Sequence, residues 1–280
     1  MKAIKVFLLL LVFCAVANGR VETVRFQSKV INTTLPYNVI LPTDYDSSKN
    51  TRYPVLYLLH GLMGHYNDWV ARTNIADYAA GYRIIIVMPE GNDSWYIDKY
   101  ENYILQELIP DVQQRYRTVE ARYARAIAGL SMGGYGAIKF GLKSPATFVF
   151  AASMSGAFSA PRLTDKEIPD SWRESLKNFG ASDSQTRTAN DLFEILQKVT
   201  PARIASLPYF YFDCGTEDSP LIFPSNRELA ALMFEKKIPH EFRELPGDHS
   251  WAYWDQQVQE VLKIAALKMR LPRTRRTSRA

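Results

Sequence analysis

Ala126-Ile127-Ala128-Gly129-Leu130-Ser131-Met132-Gly133-Gly134-Tyr135-Gly136-Ala137 is the stretch on which the reading of this chain turns. Ala126 to Ala128 is a short apolar run of the kind that forms a strand buried on both faces, and Gly133 to Leu142 reads as a helix. Between them, Gly129-Leu130-Ser131-Met132-Gly133 matches G-x-S-x-G. The five residues alone say little, because chance supplies such a match in roughly one chain in ten of this length. The context says more: strand, sharp turn and Gly-rich helix start in succession are what lifts a serine hydroxyl off the end of a sheet. Neighbours on so tight a turn must lack bulk, and Gly129, Gly133 and Gly134 meet that need.

Outward from the motif, continuous apolar runs recur at Val55 to Leu59, Ile84 to Met88, Phe148 to Met154 and Tyr209 to Phe212, with a more mixed strand at Glu241 to Leu245. Helical stretches separate them at Tyr100 to Tyr116, Gly133 to Leu142 and Asn226 to Lys236. Alternation of this kind predicts a mostly parallel central sheet with helices on both faces. Val21 to Leu41 instead alternates apolar and polar, as in Val24, Phe26 and Val30 against Arg25, Gln27 and Lys29, and predicts an antiparallel pair at the sheet edge. Trp251, Trp254, Val258, Val261, Leu262 and Ala265 recur at helical spacing and predict a closing helix. The long connection, about 156–208, carries Trp172, Phe179, Leu192 and Phe193 and is expected to be a small helical insertion or lid over the strand ends. The fold expected is the α/β-hydrolase fold, with residues 20–269 as its catalytic domain.

A serine in this position needs a base, an acid and donors for an oxyanion. In this fold the chain order is serine, acid, histidine. Of His60, His65, His240 and His249, only His249 follows the last expected strand, in Pro246-Gly247-Asp248-His249-Ser250-Trp251. The acid should follow the preceding strand, where Asp213, Glu217 and Asp218 compete. Asp213 is still at the strand end, whereas Asp218 lies past the Gly215 turn, where the chain can swing toward His249; Asp218 is therefore assigned. Met132 places its N–H at a helix N-terminus, where negative charge is favoured, and is one expected oxyanion donor. Leu62 is the other, because His60-Gly61-Leu62-Met63-Gly64 follows the apolar run Val55 to Leu59 directly. His60 is read as a support of its own loop, and Cys214 as a buried structural thiol.

Tyr53 to Trp69, Arg125 to Phe158 and Tyr209 to Trp254 together resemble the esterase D family of α/β-hydrolases. That family includes S-formylglutathione hydrolases, short-chain acyl esterases, feruloyl esterases and mycolyltransferases. The resemblance runs from about Val21 to Lys268 and implies Ser131, Asp218 and His249 as triad, with Leu62 and Met132 at the oxyanion positions. It also implies a substrate-side place for Trp95 and Tyr96. No metal or organic cofactor is called for. The expected activity is hydrolysis of a small-molecule or carbohydrate ester, with transfer to a sugar acceptor as the alternative. A non-enzymatic carbohydrate-binding protein and a cytosolic S-formylglutathione hydrolase stand further back.

The chain is 280 residues long, with 47% hydrophobic and 22% charged content, an ordinary globular balance. Residues 1–19 read as a signal peptide, with Lys2 and Lys5 leading an apolar run from Val6 to Val16; the protein is expected to be secreted or periplasmic. That run is shorter than the about 20 residues a membrane span needs, so stable membrane insertion is not expected. The net charge of +5 falls to +3 without Lys2 and Lys5, and to −3 without Lys268 and the five arginines from Arg270 to Arg279. The basicity therefore belongs to a tail, 270–280, expected to be disordered, and the body offers nucleic acid no basic surface.

Overall fold

The computed structural model describes residues 19–269; the expectations for the leader before Gly19 and for the 270–280 tail fall outside them. Eight strands form one sheet: β1 (Arg20–Ser28), β2 (Thr33–Leu41), β3 (Val55–Leu59), β4 (Ile85–Pro89), β5 (Arg125–Leu130), β6 (Phe150–Met154), β7 (Tyr209–Gly215) and β8 (His240–Leu245). Their order across the sheet is β1-β2-β4-β3-β5-β6-β7-β8. β1 and β2 form the expected antiparallel edge pair, with Arg20 opposite Leu41 and Ser28 opposite Thr33. β2 runs antiparallel to β4, and every other neighbouring pair is parallel. The architecture is that of an α/β-hydrolase.

Period-two alternation divides each central strand between two apolar layers. Val55, Tyr57 and Leu59 of β3 and Ile127 of β5 face one layer, which also holds Tyr103, Ile138, Phe179, Leu192 and Leu229 from helices on that side. Leu56 and Leu58 of β3 and Ala126 and Ala128 of β5 face the other, against Trp69, Ile75, Val258 and Leu262. Each fully buried aliphatic side chain of this kind contributes about 1.5–3 kcal/mol, so the two layers carry most of the stability. The second layer receives the closing helix, Trp251–Lys268, which packs over small side chains at Ala126 and Ala128.

Boundaries differ from the sequence reading where polarity or turn chemistry misled it. β7 continues through Asp213 to Gly215 because Asp213 pairs between Met154 and Arg243 and its carbonyl accepts the Ser155 N–H at 2.8 Å. Phe148 precedes β6 and is buried against Phe140, so its apolarity marks packing, not pairing. The helix expected from Asn226 starts earlier, as Phe223–Glu235, with Pro224 in its first turn, where a missing N–H costs nothing. The helix expected over Tyr100 to Tyr116 is interrupted by a π-wound segment, Tyr103–Leu108. Between β6 and β7 lie short helices, among them Asp170–Leu176, Gln185–Asn190 and Leu192–Gln197.

The strand order places β4 on one side of β3 and β5 on the other, so the chain reverses direction across the sheet there. A crevice opens at the C-terminal ends of strands at such a point. The elbow helix, Ser131–Lys143, starts at the end of β5 and crosses β3 closely: a Cβ on Gly133 would sit 2.4 Å from the His60 carbonyl oxygen and 2.7 Å from that of Leu59. At Gly81 an added Cβ would make only an ordinary contact, 3.7 Å from the Tyr78 carbonyl oxygen. Thermal unfolding should therefore separate the two. Gly133→Ala is expected to lose about 1–3 kcal/mol to overpacking, read as a fall in Tm of about 2–4 °C per kcal/mol, while Gly81→Ala leaves Tm unchanged or slightly higher.

Candidate active site

Ser131 takes φ 50°, in the left-handed region, as the first residue of the elbow helix. That conformation costs of order 1–3 kcal/mol for a residue with a Cβ and persists because the helix behind it is buried from Ser131 to Leu142. His249 Nε2 stands 3.0 Å from Ser131 Oγ, and His249 Nδ1 stands 3.0 Å from Asp218 Oδ2. Asp218 has no exposed side-chain surface, and the His249 ring is 31% exposed. The carboxylate is held by the Ser219 N–H at 2.6 Å and by the Cys214 thiol at 3.8 Å. In this arrangement Nδ1–H donates to Asp218 and Nε2 accepts from the serine hydroxyl, the tautomer in which imidazole can take that proton.

The two loops that carry acid and base are joined to each other before either reaches the serine. Thr216 donates its N–H to Leu245 O at 2.8 Å and Glu217 to Gly247 O at 2.9 Å. Gly215 passes so close that a Cβ there would meet the Gly247 carbonyl at 2.2 Å. The loops after β7 and β8 thus extend the sheet pairing by two rungs, which brings Asp218 and His249 together across 31 residues of sequence.

Asp213 goes elsewhere. It is fully buried, and its Oδ1 accepts the Tyr253 hydroxyl of the closing helix at 2.8 Å. Burial pushes its carboxyl up to about 7, with the hydroxyl bonds and Arg243 on β8 acting in the opposite direction. Cys214 is buried, and burial, followed by the nearby Asp218 and Asp213 carboxylates, drives its thiol well above the ordinary range. A thiol so held is not a nucleophile.

Leu62 lines the cleft with Ser131 and His249. Met132 follows Ser131 in the first turn of the elbow helix, where its N–H has no intrahelical acceptor. A Cβ on Gly61 would lie 3.4 Å from Ser131 Cβ, so the β3 loop runs directly against the serine. The β3 loop and the first turn of the elbow helix therefore border Ser131 from two sides. His60 is buried, pairs Nδ1 with Gly61 O at 2.7 Å and accepts the Gly91 N–H on Nε2 at 2.8 Å, bracing that loop. His65 faces solvent and His240 stacks on Phe212; neither meets Ser131.

Trp95 and Tyr96 do not reach the cleft. Both are fully buried, at φ 55° and 52°. Trp95 packs among Tyr135, Trp172 and Phe179 and donates to Ser175 Oγ at 3.1 Å, while Tyr96 donates to His60 O at 3.1 Å. Their place is behind the wall, where they support the residues that form it. The surface itself has other aromatics. Trp172, Trp251 and Trp254 line the cleft, whose volume is about 240 Å³. Trp254 meets the His249 ring edge-on at 4.9 Å, Trp251 meets Trp254 at 5.3 Å, and Arg72 lies 5.6 Å over Trp251. Helical spacing placed Trp251 and Trp254 on the closing helix; their position directly after His249 is the available signal that they also face the site.

Comparison with known proteins gives a consistent picture. The family model described as "Putative esterase" matches residues 28–264. An acetyl esterase of Caldicellulosiruptor saccharolyticus is 27% identical over 254 residues, which cover 84% of this chain and 94% of that protein. Esterase Rv1288 of Mycobacterium tuberculosis is 32% identical over 256 residues, 80% of this chain but only 54% of that longer protein. A solved structure of a ferulic acid esterase superposes with a TM-score of 0.77 at 28% identity, over 90% of this chain and 99% of its own.

The two aspartates should behave differently in kinetics and in stability. Asp218→Asn is expected to lower kcat by about 10⁴, the size of effect seen when the acid of a serine triad is lost, and Asp213→Asn by less than tenfold; the reverse result would exchange their roles. Because folding raises the Asp213 pKa from 3.8 to about 7, the folded state holds that proton more tightly. The stability it gives is fully present below about pH 4 and is lost as the pH rises through 7. The Tm of the native protein relative to Asp213→Asn should therefore fall across that window, and a flat difference would contradict the assignment.

Proposed function

The chain belongs to the esterase family and is a carboxylic ester hydrolase, and from that premise we propose that it is a secreted or periplasmic serine esterase that cleaves short-chain acyl, acetyl or feruloyl esters through an acyl-enzyme on Ser131. The observation that carries this reading is the unbroken hydrogen-bond chain from Ser131 Oγ through His249 to the buried Asp218 carboxylate.

His249 Nε2 takes the Ser131 proton as Oγ attacks the ester carbonyl. The charge that develops on the carbonyl oxygen is met by the N–H groups of Leu62 and Met132, each such donor being worth about 2.7–4 kcal/mol in the transition state. Asp218 stabilises the imidazolium and keeps its ring in place. The imidazolium then protonates the departing alkoxide; water, deprotonated in turn by His249, attacks the acyl carbonyl, and His249 returns that proton to Ser131 Oγ as the acid leaves. Trp254 against the His249 ring keeps one side of the site dry, which strengthens every electrostatic contact in it.

A cleft of about 240 Å³ walled by tryptophans suits a short chain or one planar ring, in keeping with the acetyl and ferulic acid esterases to which the chain is similar. An extracytoplasmic location is supported by the apolar run led by Lys2 and Lys5.

Purified protein is expected to hydrolyse p-nitrophenyl acetate, with rates falling as the acyl chain lengthens, and Ser131→Ala to lower kcat by roughly 10⁵- to 10⁶-fold. Intact-mass measurement after a fluorophosphonate probe should show one adduct, absent in the Ser131→Ala variant. Equal activity in the variant would remove the mechanism, and methyl ferulate and acetylated xylan in the same panel identify the acyl group.

A further inference from the structure

The loop that leaves β3 is fastened by two carboxylates of the loop that leaves β4. Glu90, the residue after β4, is buried, and its carboxylate reaches both flanks of the turn 61–64. On the near flank Oε1 lies 3.3 Å from His60 Nε2 and shares the Gly91 N–H with that nitrogen, at 3.1 and 2.8 Å. On the far flank Oε2 lies 3.3 Å from His65 Nδ1 and accepts the Tyr66 N–H at 3.4 Å. Asn92 donates a further N–H to Oε1 at 2.8 Å. Burial acts to raise the Glu90 carboxyl, but His60 and the Asn92 and Tyr66 amides bring it down to about 2, so it accepts with a full charge. At the tip of the turn, Met63 takes φ 58° and donates its N–H to Asp93 Oδ1 at 2.6 Å.

The consequence for Leu62 follows from the planarity of the peptide unit. Gly61 O and the Leu62 N–H belong to one plane and point opposite ways. Gly61 O meets His60 Nδ1 at 2.7 Å and the Gly64 N–H at 3.1 Å, so its direction is set, and with it the direction of the amide on the other side. His60 is placed in turn by Gly91 and Glu90 on its ring and by the Tyr96 hydroxyl on its carbonyl. Met63, Gly64, His65 and Tyr66 each spend their N–H, on Asp93, Gly61 O, Asp68 and Glu90. That of Leu62, on the cleft wall with Ser131, has no acceptor among the described residues. A donor left over and held in a fixed direction is what a developing oxyanion uses.

We propose that Glu90 and Asp93 are positioning residues for the reaction, holding the turn 61–64 so that the Leu62 N–H is set for the oxyanion before substrate arrives. The inference rests on the esterase reading above, with Leu62 as an oxyanion donor, and adds the side chains that set that donor. Its signature belongs to the transition state. A slack turn misdirects a donor that the ground-state carbonyl barely uses, so kcat falls while KM stays. Asp218 and His249 are bonded outside this network, so the titration of the triad stays where it is.

The test uses the full-length protein, p-nitrophenyl acetate and two variants. Glu90→Gln keeps the side-chain shape but turns an NH2 group toward N–H donors, and Asp93→Ala changes an exposed position. The expected fall in kcat is about ten- to a hundredfold for Glu90→Gln and about three- to tenfold for Asp93→Ala, short of the roughly 10²–10³ that loss of a whole donor costs. KM should stay within about twofold, and the acidic limb of the kcat/KM profile against pH should not move. Affinity for a trifluoromethyl ketone, whose adduct with a serine carries an oxyanion, should fall by the same factor as kcat in each variant. An unchanged kcat in either variant overturns the proposal, as does a fall that comes through KM, a shifted pH profile, or a ketone affinity that does not follow kcat. If Glu90→Gln fails to fold, Asp93→Ala decides by the same readouts. Wild-type protein inactive on every ester would overturn the esterase reading itself, and the two failures are thereby told apart.

Discussion

Everything in this molecule that bears on chemistry depends on how closely the elbow helix crosses strand β3. Gly133 lies against the carbonyls of Leu59 and His60 with no space for a side chain, and that contact fixes Ser131 in a left-handed turn at the crevice where the sheet changes direction. It brings a second loop to the serine as well: the loop that leaves β3 at Gly61 runs against Ser131, with Leu62 on the cleft wall. The cost of the strained serine, of order 1–3 kcal/mol, is small beside the burial of a helix whose residues are covered from Ser131 to Leu142.

A second constraint carries the acid and the base. Two backbone hydrogen bonds continue the β7–β8 pairing past the strand ends, and the glycines that allow it, Gly215 and Gly247, bring two loops within contact. Only then do two carboxylates five residues apart take different roles. Asp218 is reached by an amide, a thiol and an imidazole. Asp213 is shut into the core, where burial favours its neutral form against the Tyr253 hydroxyl bond and Arg243. Environment, not residue type, divides the labour. The closing helix takes part in both, through Tyr253 on Asp213 and Trp254 against His249.

The sequence by itself determined the layers, the parallel centre and antiparallel edge, and which serine, histidine and aspartate the fold would bring together at Ser131, His249 and Asp218, because each leaves a local trace: apolar runs for doubly buried strands, alternation for a half-exposed edge, and glycine wherever backbones touch. It misjudged the end of β7 because a buried aspartate reads as a turn residue, and it set Trp95 and Tyr96 on the substrate because aromatic residues near a site look alike whether they line it or brace it. Only the tertiary structure decided that Trp172, Trp251 and Trp254 form the cleft. The reason is physical. Strand and turn preferences are written in neighbouring residues, whereas the direction a side chain faces, and what it meets there, depends on segments more than a hundred residues away, as the Ser131–His249 pair across 118 residues shows.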